Sequence, residues 1–242
     1  MNKILLISLM IICLISCKQE ERKKENEEPL DPELYMHPDS IKDRMDNSLN
    51  IESSSLPIHG IKEFIEGIDD DTIYHTIPNW EFINQNGDVV SSEDYLGKIY
   101  VADFFFTSCP TICPIMTVNM MSLQERTKDL GVQFLSYTVD PKRDNSETLK
   151  QYQDAYGING NNWNLITGDQ YKIYELGVKG FLVPNQEDAL APGGFLHSEK
   201  MMLIDQLGRI RGYYDGTDES QMNDIVNDIK KLRIEQDTIN RN

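Results

Sequence analysis

The chain is poor in cysteine, histidine, positive charge and long apolar runs, and each shortage narrows what it can be. Four cysteines stand in 242 residues. Two, Cys13 and Cys17, lie in the leading segment, so the body of the chain holds one pair, Cys109 and Cys113, and no disulfide framework can be built from it. Lysine and arginine number 23 against 40 aspartates and glutamates, a formal net charge of −17. A surface this acidic repels nucleic acid and anionic lipid head groups. Nucleic acid is therefore excluded as a partner, whereas a metal cation or a basic protein is not, and acidity also keeps a secreted domain soluble. The apolar run Ile4–Ile15 is too short to cross a bilayer, which takes roughly 20 apolar residues. Histidines number four. His37, His59 and His75 precede the densely patterned part of the chain and read as surface residues, which singles out His197. No internal repeat is visible.

The leading residues read as a secretory signal. Lys3 supplies the positive start, ILLISLMIICLI the apolar stretch and Ser16 the small residue before the break. LISC, Leu14 to Cys17, resembles the bacterial lipobox, in which the cysteine is lipidated and becomes the mature N-terminus. The expectation is a chain anchored by acyl chains on Cys17 to the bacterial cell envelope, facing the periplasm, where disulfides can form. Cleavage removes Cys13 and only one charge, that of Lys3, and leaves −18 (one below −17). Lys18 follows where inner-membrane retention signals carry aspartate, so the choice of membrane stays open.

The body of the chain divides by composition into a signal over 1–16, a disordered polar tether over 17–33, a pre-domain segment over 34–77 and one domain over 78–242. KQEERKKENEEPLDPE, 18–33, has too few apolar side chains to order itself. The segment 34–77 has apolar residues without a long period, with a short strand expected near Thr72 to His75. WEFINQNGDVV carries Asn86-Gly87 between two apolar runs and predicts a hairpin. Lys98–Thr107 and Val132–Asp140 read as buried strands. A helix follows Pro114, with Met116, Met120 and Leu123 on one face. SETLKQYQDAYG predicts a helix stopped by Gly157. NWNLITG reads as a short strand and DQYKIYELG as a short helix. EKMMLID and RIRGYYDG read as two strands joined at Gln206 to Gly208, and Glu219–Arg233 as a last helix. Alternation of strands and helices implies an α/β layer fold. A cysteine pair between a central strand and a helix start is the thioredoxin arrangement, so the fold class expected is α/β, thioredoxin-like, with an N-terminal hairpin extension.

TSCPTICP, Thr107 to Pro114, holds the chemistry. Two thiols at this spacing can be a redox dithiol, a metal clamp, a structural disulfide or a core pair. Pro114 fits the first helical position, which puts Cys113 at the helix cap, where outward N–H groups and the helix dipole favour thiolate. Three intervening residues instead of two widen the loop. They permit a disulfide and give the sulfurs freedom to chelate a soft or borderline ion such as Cu(I) or zinc. His197, in GGFLHSEKMMLID at the start of a strand placed near the cysteine loop, stands where thioredoxin-like redox enzymes usually have a proline facing the dithiol. It is either a third ligand or a polar strand-end histidine. Pro192 is the nearest earlier proline.

Taken together these blocks resemble the Sco/SenC family of copper-binding thioredoxin-fold proteins. FFFTSCPTICPIM resembles its cysteine signature, YTVDPKRDNSETL (with Asp140, Pro141, Arg143 and Asp144) its segment after the second strand, LHSEKMMLID its histidine strand and RIRGYYDG its last strand. The resemblance spans roughly 78–236. It implies that Cys109, Cys113 and His197 bind one copper, and that the partner is the subunit bearing the copper A centre of a respiratory haem-copper oxidase, or another copper or thiol protein. Asp140 either lies beside the site or caps a turn. Thr111 departs from the family, which often has an acidic residue there; the ligands are untouched. Met116, Met120, Met121, Met201 and Met202 read as core. A monomeric copper chaperone is the first reading, a thiol–disulfide reductase using Cys109 and Cys113 the alternative. A peroxidase with Arg143 beside its cysteine ranks below both. A structural staple ranks lowest, because so small a loop stabilises little.

Overall fold

The computed structural model describes residues 55–64 and 72–239. Cys13, Cys17, His37, the expected signal and the expected tether lie outside the described residues. Two short strands, β1 (Lys62–Phe64) and β2 (Thr72–Tyr74), pair antiparallel. Then come β3 (Glu81–Asn84), β4 (Val89–Ser91) and β5 (Tyr100–Phe105), followed by helix α1 (Cys113–Arg126) and β6 (Gln133–Thr138). Helix α2 (Ser146–Tyr156), β7 (Trp163–Thr167) and helix α3 (Gln170–Glu175) continue the alternation. The chain closes with β8 (Asn185–Glu187), β9 (Phe195–His197), β10 (Lys200–Ile204), β11 (Ile210–Asp215) and helix α4 (Gln221–Ile239).

Seven strands form one sheet in the order β11-β10-β5-β6-β7-β3-β4. Its centre is parallel: β5 pairs with β6 and β6 with β7, while β10 and β3 flank that core antiparallel. β5 is central because YVADFF is buried at every residue, as a strand covered on both faces must be. The expected hairpin is β3–β4. Gly87 at its tip has φ 83°, and Asn84 Oδ1 accepts from the amides of Asn86 and Asp88. It extends the sheet beyond β7. This is the α/β, thioredoxin-like arrangement expected from the sequence.

Local chemistry sets the helix ends. The Asn145 side chain caps α2 by accepting from the Thr148 amide at 2.9 Å, and Gly157 ends it with φ 70°. Cys113 is the first residue of α1 and Pro114 the second, with Ile112 as the cap, one residue off the expected register. α4 buries Met222, Ile225, Val226, Ile229 and Leu232 as expected and runs on to Ile239.

Three details differ from the sequence reading. His197 does not open the strand EKMMLID, which is β10. It ends β9, which pairs with β8 in a separate hairpin, Asn185 opposite His197 and Glu187 opposite Phe195. Second, α3 continues into a wider π turn over Leu176–Gly180. Third, His59 and His75 are half-buried rather than surface residues. The His59 amide donates to Ile210 O at 2.9 Å, and its ring meets Tyr213 edge-on. His75 Nε2 donates to Gly180 O at 2.7 Å. Residues 55–61 are anchored as well. Leu56 is buried, and Arg211 donates to the carbonyls of Leu56 and Pro57.

Candidate metal centre

Cys109, Cys113 and His197 arrive from three elements. β5 delivers the chain to the cysteine loop, where the Cys109 amide turns back to Phe106 O at 3.2 Å. Cys113 opens α1. The β8–β9 hairpin brings His197 in from 84 residues away, with Nε2 at 3.3 Å from Cys113 Sγ and 3.9 Å from Cys109 Sγ. The other ring nitrogen, Nδ1, lies 3.2 Å from Ser198 O. A carbonyl can only accept, so Nδ1 carries a proton, and Nε2 is the ring nitrogen turned toward the sulfurs.

All three residues are buried, and their ligand atoms lie within 4.8 Å of one another. Metal–sulfur bonds of about 2.3 Å and metal–nitrogen bonds of about 2.0–2.1 Å place S and N donors on one ion about 3.5–4 Å apart. The 3.9 Å sulfur–nitrogen distance lies in that range and the 3.3 Å one just below it, so the donors fit one ion with shifts of a few tenths of an ångström. Two thiolates and an imidazole suit a soft or borderline metal. Among the described residues this is the one cluster of three such side chains able to hold an ion.

The thiols are unequal. Cys109 is pulled down to about 3, chiefly by a hydrogen bond from the Cys113 thiol and further by His197 and the amides of Thr111 and Cys113, with burial opposing. Cys113 is pushed far above the ordinary thiol range because its proton is held on Cys109 and because it is buried. The two titrate as a coupled pair in which the shared hydrogen bond favours thiolate on Cys109 and thiol on Cys113. Thr111 Oγ1 lies 3.8 Å from Cys109 Sγ. A hydroxyl can donate to that thiolate, which a carboxylate in its place could not.

Residues around the centre hold it in shape. Asp144, fully buried, accepts from the Thr107 amide at 3.0 Å and from the hydroxyls of Thr107 and Thr138, both at 2.5 Å. It ties the cysteine loop to the end of β6. Asp140 is buried too and pairs with the exposed Arg143; burial pushes its carboxyl up and Arg143 opposes that. Phe106 meets His197 edge-on with ring centres 5.5 Å apart, and Phe195 at 5.2 Å. Gly193 has φ 77°, and a Cβ there would sit 2.6 Å from the Phe106 ring, so only glycine lets the hairpin close on Phe106.

Asp103 on β5 was not singled out by the sequence. It is buried, Oδ1 has no partner, and burial pushes its carboxyl up to about 6 against a Ser136 hydrogen bond and the His197 imidazole. Its signal was available: one acid inside an otherwise apolar strand. Phe106 and Phe195 gave no such signal. Met116, Met120, Met201 and Met202 are fully buried and Met121 partly so, all packed in the core.

Comparison with known proteins agrees with this geometry. The SCO1/SenC family model matches residues 69–233. A SCO1 protein homologue of Bacillus subtilis (strain 168) is 33% identical over 167 residues, covering 66% of this chain and 84% of the relative. The crystal structure of a SCO1/SenC family lipoprotein from Bacillus anthracis str. Ames superposes with TM-score 0.61 at 36% identity, covering 65% of this chain and 95% of that one. A structure of BsSco, described with a disulfide switch as a member of the Sco family of cytochrome c oxidase assembly proteins, gives 0.60 at 31% identity over 66% and 94%. The chain belongs to the SCO1/SenC family.

Proposed function

We propose that this chain is a membrane-tethered copper chaperone. The thiolates of Cys109 and Cys113 and Nε2 of His197 hold one copper ion, which passes by ligand exchange to the copper A centre of a respiratory haem-copper oxidase. The observation that carries the proposal is the convergence of three soft or borderline donors within 4.8 Å in a buried site. The names of relatives support the recipient, since BsSco belongs to a family of cytochrome c oxidase assembly proteins. The anchor is acyl chains on Cys17, facing the periplasm. Its support is the lipobox and a relative described as a lipoprotein. The domain so tethered works as a monomer.

The test is a Cu(I) competition titration on the reduced chain from residue 34 onward, beside Cys109→Ser, Cys113→Ser and His197→Ala. One tightly held copper weakened by each substitution is expected, and removal of His197 without effect sinks the proposal. Radiolabelled fatty acid should enter the full chain in a bacterial host and be lost in Cys17→Ser.

The unequal thiols favour a second reading, a thiol–disulfide reductase. The Cys109 thiolate attacks a partner disulfide, forming a mixed disulfide and expelling one partner thiolate. Cys113 gives up its proton and attacks Cys109 sulfur, which releases the second partner thiol. The partner gains two electrons, and this chain is left with a Cys109–Cys113 disulfide. This reading predicts disulfide turnover that needs both cysteines and not His197. Copper loading of thiols needs them reduced first, so one chain can do both.

A further inference from the structure

The hairpin that carries His197 is not part of the main sheet. Among the described residues β8 and β9 pair only with each other, three residues on three. A two-stranded ribbon is marginal by itself, so something outside it must set where the imidazole points. The segment Asp140–Arg143, between β6 and α2, grips it. Arg143 is paired with the buried Asp140, and its guanidinium lies over the Phe195 ring at 5.5 Å. Lys142 reaches Glu187 across the hairpin at 2.9 Å, and Gln170 reaches the same carboxylate at 2.9 Å. The Lys142–Glu187 pair is exposed on both sides and holds little. Arg143 is exposed too, but both groups it touches, Asp140 and Phe195, are buried. Phe195 and His197 lie two residues apart, both buried, with Leu196 turned outward, so the ring gripped by Arg143 shares a face with the imidazole. Phe106 packs on both.

We propose that Arg143 is a positioning residue for His197: braced by Asp140 and laid over Phe195, it clamps the β8–β9 hairpin so that Nε2 faces the two thiols. This deepens the copper reading and rests on it, so its test has an arm that needs no copper. Lysine keeps the charge for Asp140 but lacks the planar face that stacks on a ring. The Asp144 ties to Thr107 and Thr138 run through the Asp144 carboxylate and do not pass through Arg143.

The experiment compares the reduced full chain with Arg143→Ala, Arg143→Lys and Phe195→Leu. In metal-free protein, hydrogen exchange of peptides covering 185–197 should quicken about tenfold in Arg143→Ala and Phe195→Leu and by less in Arg143→Lys, with β5, β6 and β10 unchanged. Cu(I) affinity should fall about tenfold in the first two, with intermediate loss in Arg143→Lys. Unchanged exchange at 185–197 overturns the proposal. So does exchange that quickens everywhere alike, since that marks a merely structural role. If the wild-type chain holds no copper, the chaperone reading fails, and the exchange arm still decides whether Arg143 sets the hairpin.

Discussion

Nε2 of His197 stands 3.3 Å from Sγ of Cys113, although 84 residues separate them in the chain. With its Nδ1 proton held against Ser198 O, the ring turns Nε2 toward the thiols. Cys113 also faces the Cys109 sulfur, and the hydrogen bond between the two thiols controls the acid–base behaviour of the pair.

That control is measurable in the metal-free, reduced protein. With Cys109 at about 3, its thiolate is fully formed across the neutral range. Alkylation by iodoacetamide, followed by mass spectrometry at each cysteine, should find Cys109 modified at a nearly constant rate from pH 5 to pH 8 and Cys113 hardly at all. Cys113→Ala removes the largest cause of the low value, so the midpoint should climb toward the ordinary thiol value of about 8.5. A wild-type rate that rises tenfold per pH unit through pH 7 would falsify the assignment.

Asp103 predicts a stability effect of the opposite sign to an ordinary paired carboxylate. Its carboxyl is raised from 3.8 to about 6, mainly by burial. Between roughly pH 4 and pH 6 the unfolded chain loses this proton while the folded chain keeps it. Stability contributed by Asp103 is thus present below pH 4 and lost as pH rises through 6. A rise of two units corresponds to about 3 kcal/mol. Asp103→Asn should accordingly be more stable than wild type at pH 8, by up to about 3 kcal/mol in urea denaturation, and nearly equal to it at pH 3.5. A difference that is the same at both pH values means the carboxyl is not raised.

Much of this was legible in the sequence. Tyr100–Phe105 is apolar but for Asp103, Gln133–Thr138 carries Phe134, Leu135 and Tyr137 within a run of strand length, and Asn86-Gly87 and Gly157 are local turn and stop signals that act without tertiary help. The cysteine pair could be placed because a strand and a helix flank it directly. His197 was nominated by its residue type and place in the order of elements, yet the element carrying it was misread. NQE and FLH are three residues each, too short for a period, and form strands only because each pairs with the other across Asp188–Gly194. The contact of Arg143 with Phe195 lies 52 residues apart and leaves no local trace. His59 and His75 were read as surface residues because nothing near them in sequence is dense; their partners, Ile210 and Gly180, are distant.

The carboxylate of Asp144 accepts two hydrogen bonds from Thr107 and one from Thr138 with no exposure to water. Asp144→Ala strands three donors in the interior, each costing about 1–3 kcal/mol when unmet. Loss of at least about 3 kcal/mol is expected in urea denaturation. Copper affinity should fall with it even under conditions where the variant stays folded, because Thr107 lies two residues before Cys109. Asp144→Asn keeps the shape and one acceptor oxygen and should lose less. Equal stability of wild type and Asp144→Ala would mean that water or another group meets those donors.

The sequence places the domain start at residue 78, and the packing argues for an earlier one. Leu56 and Ile77 are buried, the Ile77 amide donates to Gly208 O at 2.8 Å, and the buried Arg211 spends donors on the carbonyls of Leu56 and Pro57. A chain begun at Pro78 forfeits two buried aliphatic side chains, worth about 1.5–3 kcal/mol each. It also leaves Arg211 with only its carboxylate partners, Asp205 and Glu235. Compared with a chain begun at Ser55, it should unfold at distinctly lower urea, by about 3–6 kcal/mol in all. Arg211→Met should narrow the gap between the two lengths, since the longer chain then loses its guanidinium contacts as well. Coincident unfolding curves for the two lengths would show that the contacts of Leu56, Pro57 and Ile77 do not stabilise the domain, and that the boundary read from composition is the physical one.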